Sequence, residues 1–313
     1  TDVLDWQQID DMIHTPDNGA LRSVWQWMYA GISRANYIVE FQDKIDFEGK
    51  EKILAENLFL RSYYYFELVK FFGDVPMYTE GRVSIAESQT IDKTPKSEIY
   101  AKLEADLLAA TESLPWQQTQ QGRVTKGAAW ALLGKIYLYQ NKFDESADAL
   151  NKVIASGQYQ LISDFSTIFK NNNENNIESV FEIQHNPLYS SDWGWSEGVD
   201  GNAMIQLCGI RGLCAEHPNY EAGWGFMSVT EGLWNHFLDD DQFRRDVAIV
   251  SEDELAQDMA DAGLSCDPLI DMTQNNPQDF TGYWQQKYSN YKSFAGMNVN
   301  GGNEHLTKAL NAH

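Results

Sequence analysis

Trp130, Leu133, Gly134 and Tyr137 stand in the spacing W-x2-L-G-x2-Y, the first-helix pattern of a tetratricopeptide repeat. Few short patterns restrict a fold as much, because this one fixes two helices against each other. Gly134 lets the partner helix approach closely while the large residues fill the groove beside it. The spacing predicts a helix from about Thr125 to Gln140 and a partner from Phe143 to Ser156, ended at Gly157. The partner helix departs from the pattern: Ser146 stands where the repeat takes Ala, Ala147 is next to it, and no proline closes the unit. Leu150 and Val153 still fit. One such pair cannot bury its apolar face alone, so neighbouring pairs are required.

The preceding residues supply them. Leu21, Val24, Trp25, Met28, Ile32, Ala35 and Ile38 form a helical stripe. A second helix runs from about Glu51 to Phe72, with Leu54, Leu58, Tyr65, Leu68 and Phe72 as inward candidates. Gly73 is its expected left-handed cap, and Pro76 prevents continuation. Thr94 reads as an N-cap with Pro95 at the first helical position, and that helix closes at Leu114-Pro115. Tyr63-Tyr64-Tyr65-Phe66 points rings in all directions of one helix and reads as core. Trp25, Trp27 and Trp130 read as core or inter-helix contacts. The expected fold class is mainly α: tetratricopeptide-like helix pairs over residues 20–157, followed by a long loop-rich excursion and short β-strands.

Past Gly157 the helical patterning stops. Val180-Phe181-Glu182-Ile183 reads as a short strand, and one more helix is expected near Val229 to Leu238. Between them, residues 185–228 are rich in glycine and aromatics, with Arg211 the one basic residue. A loop this long inside a compact domain is usually functional or disordered, and its aromatic content disfavours disorder.

Chemistry is first bounded by charge. Asp and Glu number 46 against 23 Lys and Arg, a net charge of −23. Nucleic-acid affinity comes mainly from clustered cations, so no nucleic acid is expected as a partner. No apolar run approaches the roughly 20 residues of a membrane-spanning helix. No Walker, Rossmann, H-E-x-x-H or G-x-S-x-G fingerprint occurs. Asp239 and Asp241 read as a solvated acidic turn rather than an acid/base pair. Cys208, Cys214 and His217 lack a fourth ligand at partner spacing, so no metal is expected, and no cofactor. Cys208 and Cys214 can form one bridge in an oxidising compartment, or all three cysteines can be free thiols.

Several segments together resemble one known family. The stretch from Arg61 through Tyr65-Phe66, Leu68-Val69 and Phe72-Gly73-Asp74-Val75-Pro76 resembles the R-A-x-x-Y-F-x-L-V-x-x-F-G-D-V-P run of SusD/RagB-type proteins, surface nutrient-binding lipoproteins of Bacteroidetes. Trp25, Tyr29, Ile32 and Ala35-Asn36 resemble its W-x3-Y-x2-I-x2-A-N helix. The stretch Ile99-Tyr100 to Leu114-Pro115 resembles the next helix, and Thr125-Lys126-Gly127-Ala128-Ala129 opens the repeat pair as in the family. Glu178 to Gln184 resembles its E-x-I-F-x-I-Q strand, and Asp241 to Arg244 loosely echoes its D-x-R turn. Six segments in the right order make the resemblance specific. It implies a single SusD-like domain over 1–313 that lacks the family's lipid-bearing N-terminal segment and its C-terminal helices.

The resemblance also implies a function. Such a protein is non-enzymatic, lies at the cell surface on a lipid anchor in the outer membrane, captures oligosaccharide or polysaccharide, and passes it to a SusC-like, TonB-dependent β-barrel transporter. Sugar faces present C–H groups that pack on aromatic rings, while amide, carboxylate and guanidinium groups take the hydroxyls. The glycan-binding candidates in the excursion are Trp193, Trp195, Trp224 and Tyr220, with Asp192, Asn202 and Arg211 as polar partners. Some of these rings must anchor the loop itself. Trp6 and Asn18, with His14 and Asp17 beside them, form a second candidate rim. Two other readings stand beside this one: a tetratricopeptide scaffold that binds a protein or peptide, and a glycoside hydrolase.

Overall fold

The structure is a computed structural model that describes residues 3–169, 173–184, 204–265, 280–288 and 291–292. The chain divides into two compact units, Thr1–Gln160 and Leu161–His313. It is mainly helical with a few short strands, as the sequence pattern requires.

The first unit holds α1 (Leu4–Asp10), α2 (Gly19–Phe41), α3 (Lys50–Phe72), β1 (Val75–Pro76), α4 (Ile85–Ser88), β2 (Lys93–Thr94), α5 (Lys96–Ser113), α6 (Lys126–Tyr139) and α7 (Phe143–Ala155). The long helices pack in chain order, α2 on α3, α3 on α5, α5 on α6 and α6 on α7. Gly73, at φ +69°, ends α3 in a conformation that disfavours side chains. Its neighbour Asp74 accepts a hydrogen bond from Lys96 N at 2.8 Å and so caps α5, a role the sequence pattern gave to Thr94. Thr94 instead lies in β2, paired antiparallel with Val75 of β1.

The repeat pair forms as its spacing predicts. A Cβ on Gly134 would stand 2.7 Å from Leu150 Cγ, so the absent side chain is what admits α7. Ser146, at the position that usually takes Ala, is buried and donates its hydroxyl to Gly134 O at 2.8 Å. Trp130 is only half-buried, with Lys152 Nζ 5.0 Å from its ring centroid. Trp27 departs from expectation: it is 57% exposed, because it sits one position off the buried line of Ile32 and Ala35.

The residues that carry the resemblance converge on one buried node. Arg61 donates to Asn36 Oδ1 (3.1 Å), Thr79 O (2.7 Å) and Asp106 Oδ2 (3.0 Å). Tyr65 Oη both donates to Tyr78 O and accepts from Tyr78 N, each at 2.9 Å. Tyr29 Oη donates to Pro76 O at 2.6 Å and Asn36 Nδ2 to Tyr78 O at 2.9 Å. These side chains give the irregular 76–79 segment the backbone partners that a helix or sheet would otherwise supply.

The second unit holds α8 (Met204–Cys208), α9 (Glu231–Trp234), α10 (Gln242–Ala248), β3 (Ile249–Ser251), α11 (Glu252–Asp261) and β4 (Tyr283–Gln285). The strands β3 and β4 pair antiparallel, Val250 opposite Trp284. Ile210, Leu213, Tyr220, Val250, Leu255 and Trp284 form its core, with Phe280 and Tyr291 packed against them. Residues 180–183 do not form the expected strand; Ile183 alone makes an isolated bridge. The expected helix near Val229 to Leu238 shortens to α9. Among the described residues no helix is long and apolar enough to cross a membrane.

Candidate functional site

Between α8 and α9 the backbone folds back on itself. Gly223 N donates to Ile210 O, Gly225 N to Gly209 O and Phe226 N to Leu207 O, each at 2.8 Å. The two runs therefore lie antiparallel, and their approach is closer than side chains permit. A Cβ on Gly223 would stand 2.4 Å from Gly209 Cα. Gly225 has φ +71°, and a Cβ there would meet Arg211 Cβ at 2.7 Å. Trp224, held between these two glycines, is 44% exposed. Its ring meets Phe226 edge to face, with centroids 6.0 Å apart. The result is an indole on a rigid backbone ledge, with Arg211 across from it on the neighbouring run.

The core fixes the ledge from beneath. Ile210 and Leu213 are buried on one side of it, and Tyr220 just before it is 6% exposed. Tyr220 stacks obliquely on His217 and Tyr291, with centroids 5.4 and 5.0 Å away. Burial pushes its hydroxyl far above the ordinary tyrosine range. His217 is fully buried, and its Nδ1 accepts from the backbone N–H of Asn219 and Tyr220, each at 3.3 Å. Burial lowers the pKa of His217, against the opposing pull of the Asp258 carboxylate 3.9 Å from Nε2. Cys214 is disulfide-bonded while Cys208 is a buried free thiol, so the 208–214 bridge is not formed. Burial pushes the Cys208 thiol up to about 11.

The sequence candidates thus separate. Trp224 and Arg211 come together at the ledge. Tyr220 is corrected to a core residue that supports it: its ring has almost no exposed face. Asn18 is also corrected. It is 1% exposed, its amide donates to Asp5 O (2.8 Å) and Gln8 Oε1 (3.2 Å), and its Oδ1 accepts from Leu21 N (3.1 Å). Those bonds cap α2 and tie it to α1, leaving no amide group for a ligand. Trp6, on α1, is partly exposed. Asp192, Trp193, Trp195 and Asn202 lie outside the described residues. Phe226, one of the rings set beside glycine in the sequence, packs against Trp224 at the ledge, whereas His217 is a part of the site that the sequence does not single out. Nothing in the sequence marks His217 as a buried turn-former. Among the described residues no three His, Cys, Asp or Glu side chains converge as metal ligands.

The chain thus joins a helical-repeat unit in sequence to a loop-rich unit that displays an aromatic ledge. A family model described as SusD-like, starch-binding associating with outer membrane, matches residues 1–138. A SusD-like protein of Formosa agariphila is 28% identical over 97% of this chain and 58% of its own length. A solved laminarin binding SusD-like protein is 29% identical, covers 93% of this chain and 63% of its own, and superposes with a TM-score of 0.77. Surface glycan-binding protein A from Bacteroides thetaiotaomicron, solved in complex with laminarihexaose, shares the fold over 99% of this chain and 65% of its own, with a TM-score of 0.84 at 23% identity. The chain is similar to SusD-like proteins in sequence and in fold. It spans about three-fifths of the length of the first of these relatives.

Proposed function

We propose that this chain is the glycan-holding part of a cell-surface, lipid-anchored outer-membrane protein. It captures oligosaccharide or polysaccharide and passes it to a SusC-like, TonB-dependent β-barrel transporter. The observation that carries the reading is Trp224, a half-exposed indole clamped between two glycines whose backbone has no room to yield. Burying such a ring against the C–H face of a sugar removes apolar surface from water at little conformational cost, because the ledge is already rigid. Arg211 supplies donors on the same ledge, and Trp193, Trp195, Asp192 and Asn202 remain candidates to extend it. Trp6 is the candidate on the first unit. The disulfide at Cys214 fits an oxidising, extracytoplasmic location. The mode is equilibrium binding without bond cleavage.

The similarity to a laminarin binding protein over 93% of the chain makes laminarin the first polysaccharide to try. Purified protein is run through native gels that carry laminarin, starch or another neutral polysaccharide, and the same mixtures are assayed for released reducing sugar. Retardation in at least one gel, without release, is expected. Free migration in every gel, or release of sugar, overturns the reading. For the partner, full-length protein extracted from outer membranes in mild detergent is expected to co-purify with a large β-barrel.

A further inference from the structure

Behind Tyr220 lies a cavity that the ledge does not use. It encloses about 130 Å³ and is lined by Ser166, Phe169, Asp246, Gln286, Lys287 and Tyr291. Tyr291 is the ring against which Tyr220 packs, so the cavity and the ledge share one wall of core. The size is a few water molecules' worth, enough for one small ring and not for a chain. The lining has an unusual division of labour. Lys287 Nζ lies 4.8 Å from the ring centroid of Phe169 and 6.0 Å from that of Phe165, held by the rings and making no ion pair among the described residues. Asp246 has one oxygen, Oδ1, occupied by Arg245 at 2.9 and 2.7 Å, and its Oδ2 accepts no hydrogen bond among the described residues. Gln286 is spent on structure: its Nε2 donates to Ile249 O at 2.9 Å and its Oε1 accepts from Tyr291 at 3.2 Å. Aromatic wall, one donor and one acceptor, both open among the described residues, therefore line the same small space.

We propose that this cavity is a separate subsite for a single neutral pyranose. The rings of Phe169 and Tyr291 offer an apolar wall to the sugar's C–H face, Lys287 donates to a ring or hydroxyl oxygen, and Asp246 Oδ2 accepts from a hydroxyl. A carboxylate beside the ammonium makes the lining neutral as a whole, which favours an uncharged sugar over a uronate. The inference rests on the reading of the chain as a glycan binder, and goes beyond it by placing a second point of contact away from Trp224.

The test uses the full chain and monosaccharide probes: methyl glycosides of glucose, galactose and mannose, with glucuronate as the charged control, followed by saturation-transfer NMR. At least one neutral glycoside is expected to bind. Lys287→Met and Asp246→Asn, each checked for a parental melting temperature, are expected to weaken it at least tenfold, and Trp224→Ala to leave it unchanged. Polysaccharide retardation in native gels is measured in parallel. If polysaccharide is retained while no glycoside binds, or while both cavity variants bind as the parent does, the subsite is overturned and the wider reading stands. Loss of the glycoside in Trp224→Ala, or tighter binding of glucuronate, also overturns it. Failure of every polysaccharide and every glycoside removes both.

Discussion

Gly223 and His217 show how single residues set the ledge. A methyl group at 223 has only backbone to push against, since the nearest atom is Gly209 Cα at 2.4 Å. Gly223→Ala is therefore expected to destabilise the protein by about 1–3 kcal/mol, and to weaken glycan binding further than its loss of stability explains. Thermal melts beside binding curves check this; an alanine variant with parental melting and affinity contradicts the close approach. His217 makes a pH prediction. Its burial disfavours the imidazolium, so its folded pKa lies below the ordinary value of about 6.5. As pH falls, the unfolded chain takes the proton first, so stability is full above about pH 6.5 and declines toward the folded pKa. Asn at 217 keeps an acceptor for the two backbone N–H groups and does not titrate. His217→Asn should flatten the fall in melting temperature between pH 7 and 5.5, and an unchanged slope would contradict a neutral buried imidazole. Neither residue's role could be read from its own type. Glycine beside tryptophan was visible, but what each glycine faces depends on a backbone run a dozen residues away.

The elements divide by the length of their pattern. Helices α2, α3, α5, α6 and α7 follow the longer helical stripes, and their limits fall within a few residues of those the sequence predicts. Helix α11 lies outside the helices the sequence pattern predicts, although Ser251 and Glu254 form a capping box at its start. The 180–183 segment has strand-like residues but, among the described residues, only an isolated bridge at Ile183, and a strand exists only where a partner runs beside it. Between α3 and α5 the sequence motif turns out to be an electrostatic clamp. Arg61 and Asp106 are both buried; Asp106 also pairs with Lys102 Nζ at 2.7 Å, so it is loss of Asp106 that leaves a buried Arg61 without its carboxylate. Asp106→Leu is expected to cost about 3–5 kcal/mol, and the double variant Asp106→Leu with Arg61→Met substantially less. Denaturant titrations of the four proteins in the cycle check this; additive losses would show that the two side chains do not depend on each other.

At the scale of the whole molecule, the acidic charge bears little on the neutral glycan proposed as ligand. A net charge of −23 excludes partners that need a basic face, and leaves a neutral sugar indifferent to it. Glycan affinity should change less than about twofold between low salt and 0.5 M salt, because stacking and hydrogen bonds to hydroxyls are not screened as ion pairs are. A steep salt dependence would point instead to an anionic ligand. The resemblance to SusD-like proteins was legible because the residues around Arg61 and Tyr65 combine in one buried node. The ligand surface was less legible, since an exposed ring and a core ring have the same letters. Trp27 and Trp224 make that comparison directly. Both are exposed, at 57% and 44%, but Trp27 lies on the regular surface of α2 and Trp224 on the glycine ledge. The decisive measurement is calorimetric titration of the polysaccharide that most retards the parent in native gels into the parent, Trp224→Ala and Trp27→Ala. Trp224→Ala should weaken binding by about tenfold to a hundredfold, an anchor loss of roughly 1.4–2.8 kcal/mol, with Trp27→Ala matching the parent. Parental affinity in Trp224→Ala, or an equal loss in both variants, would contradict a glycan held at the ledge.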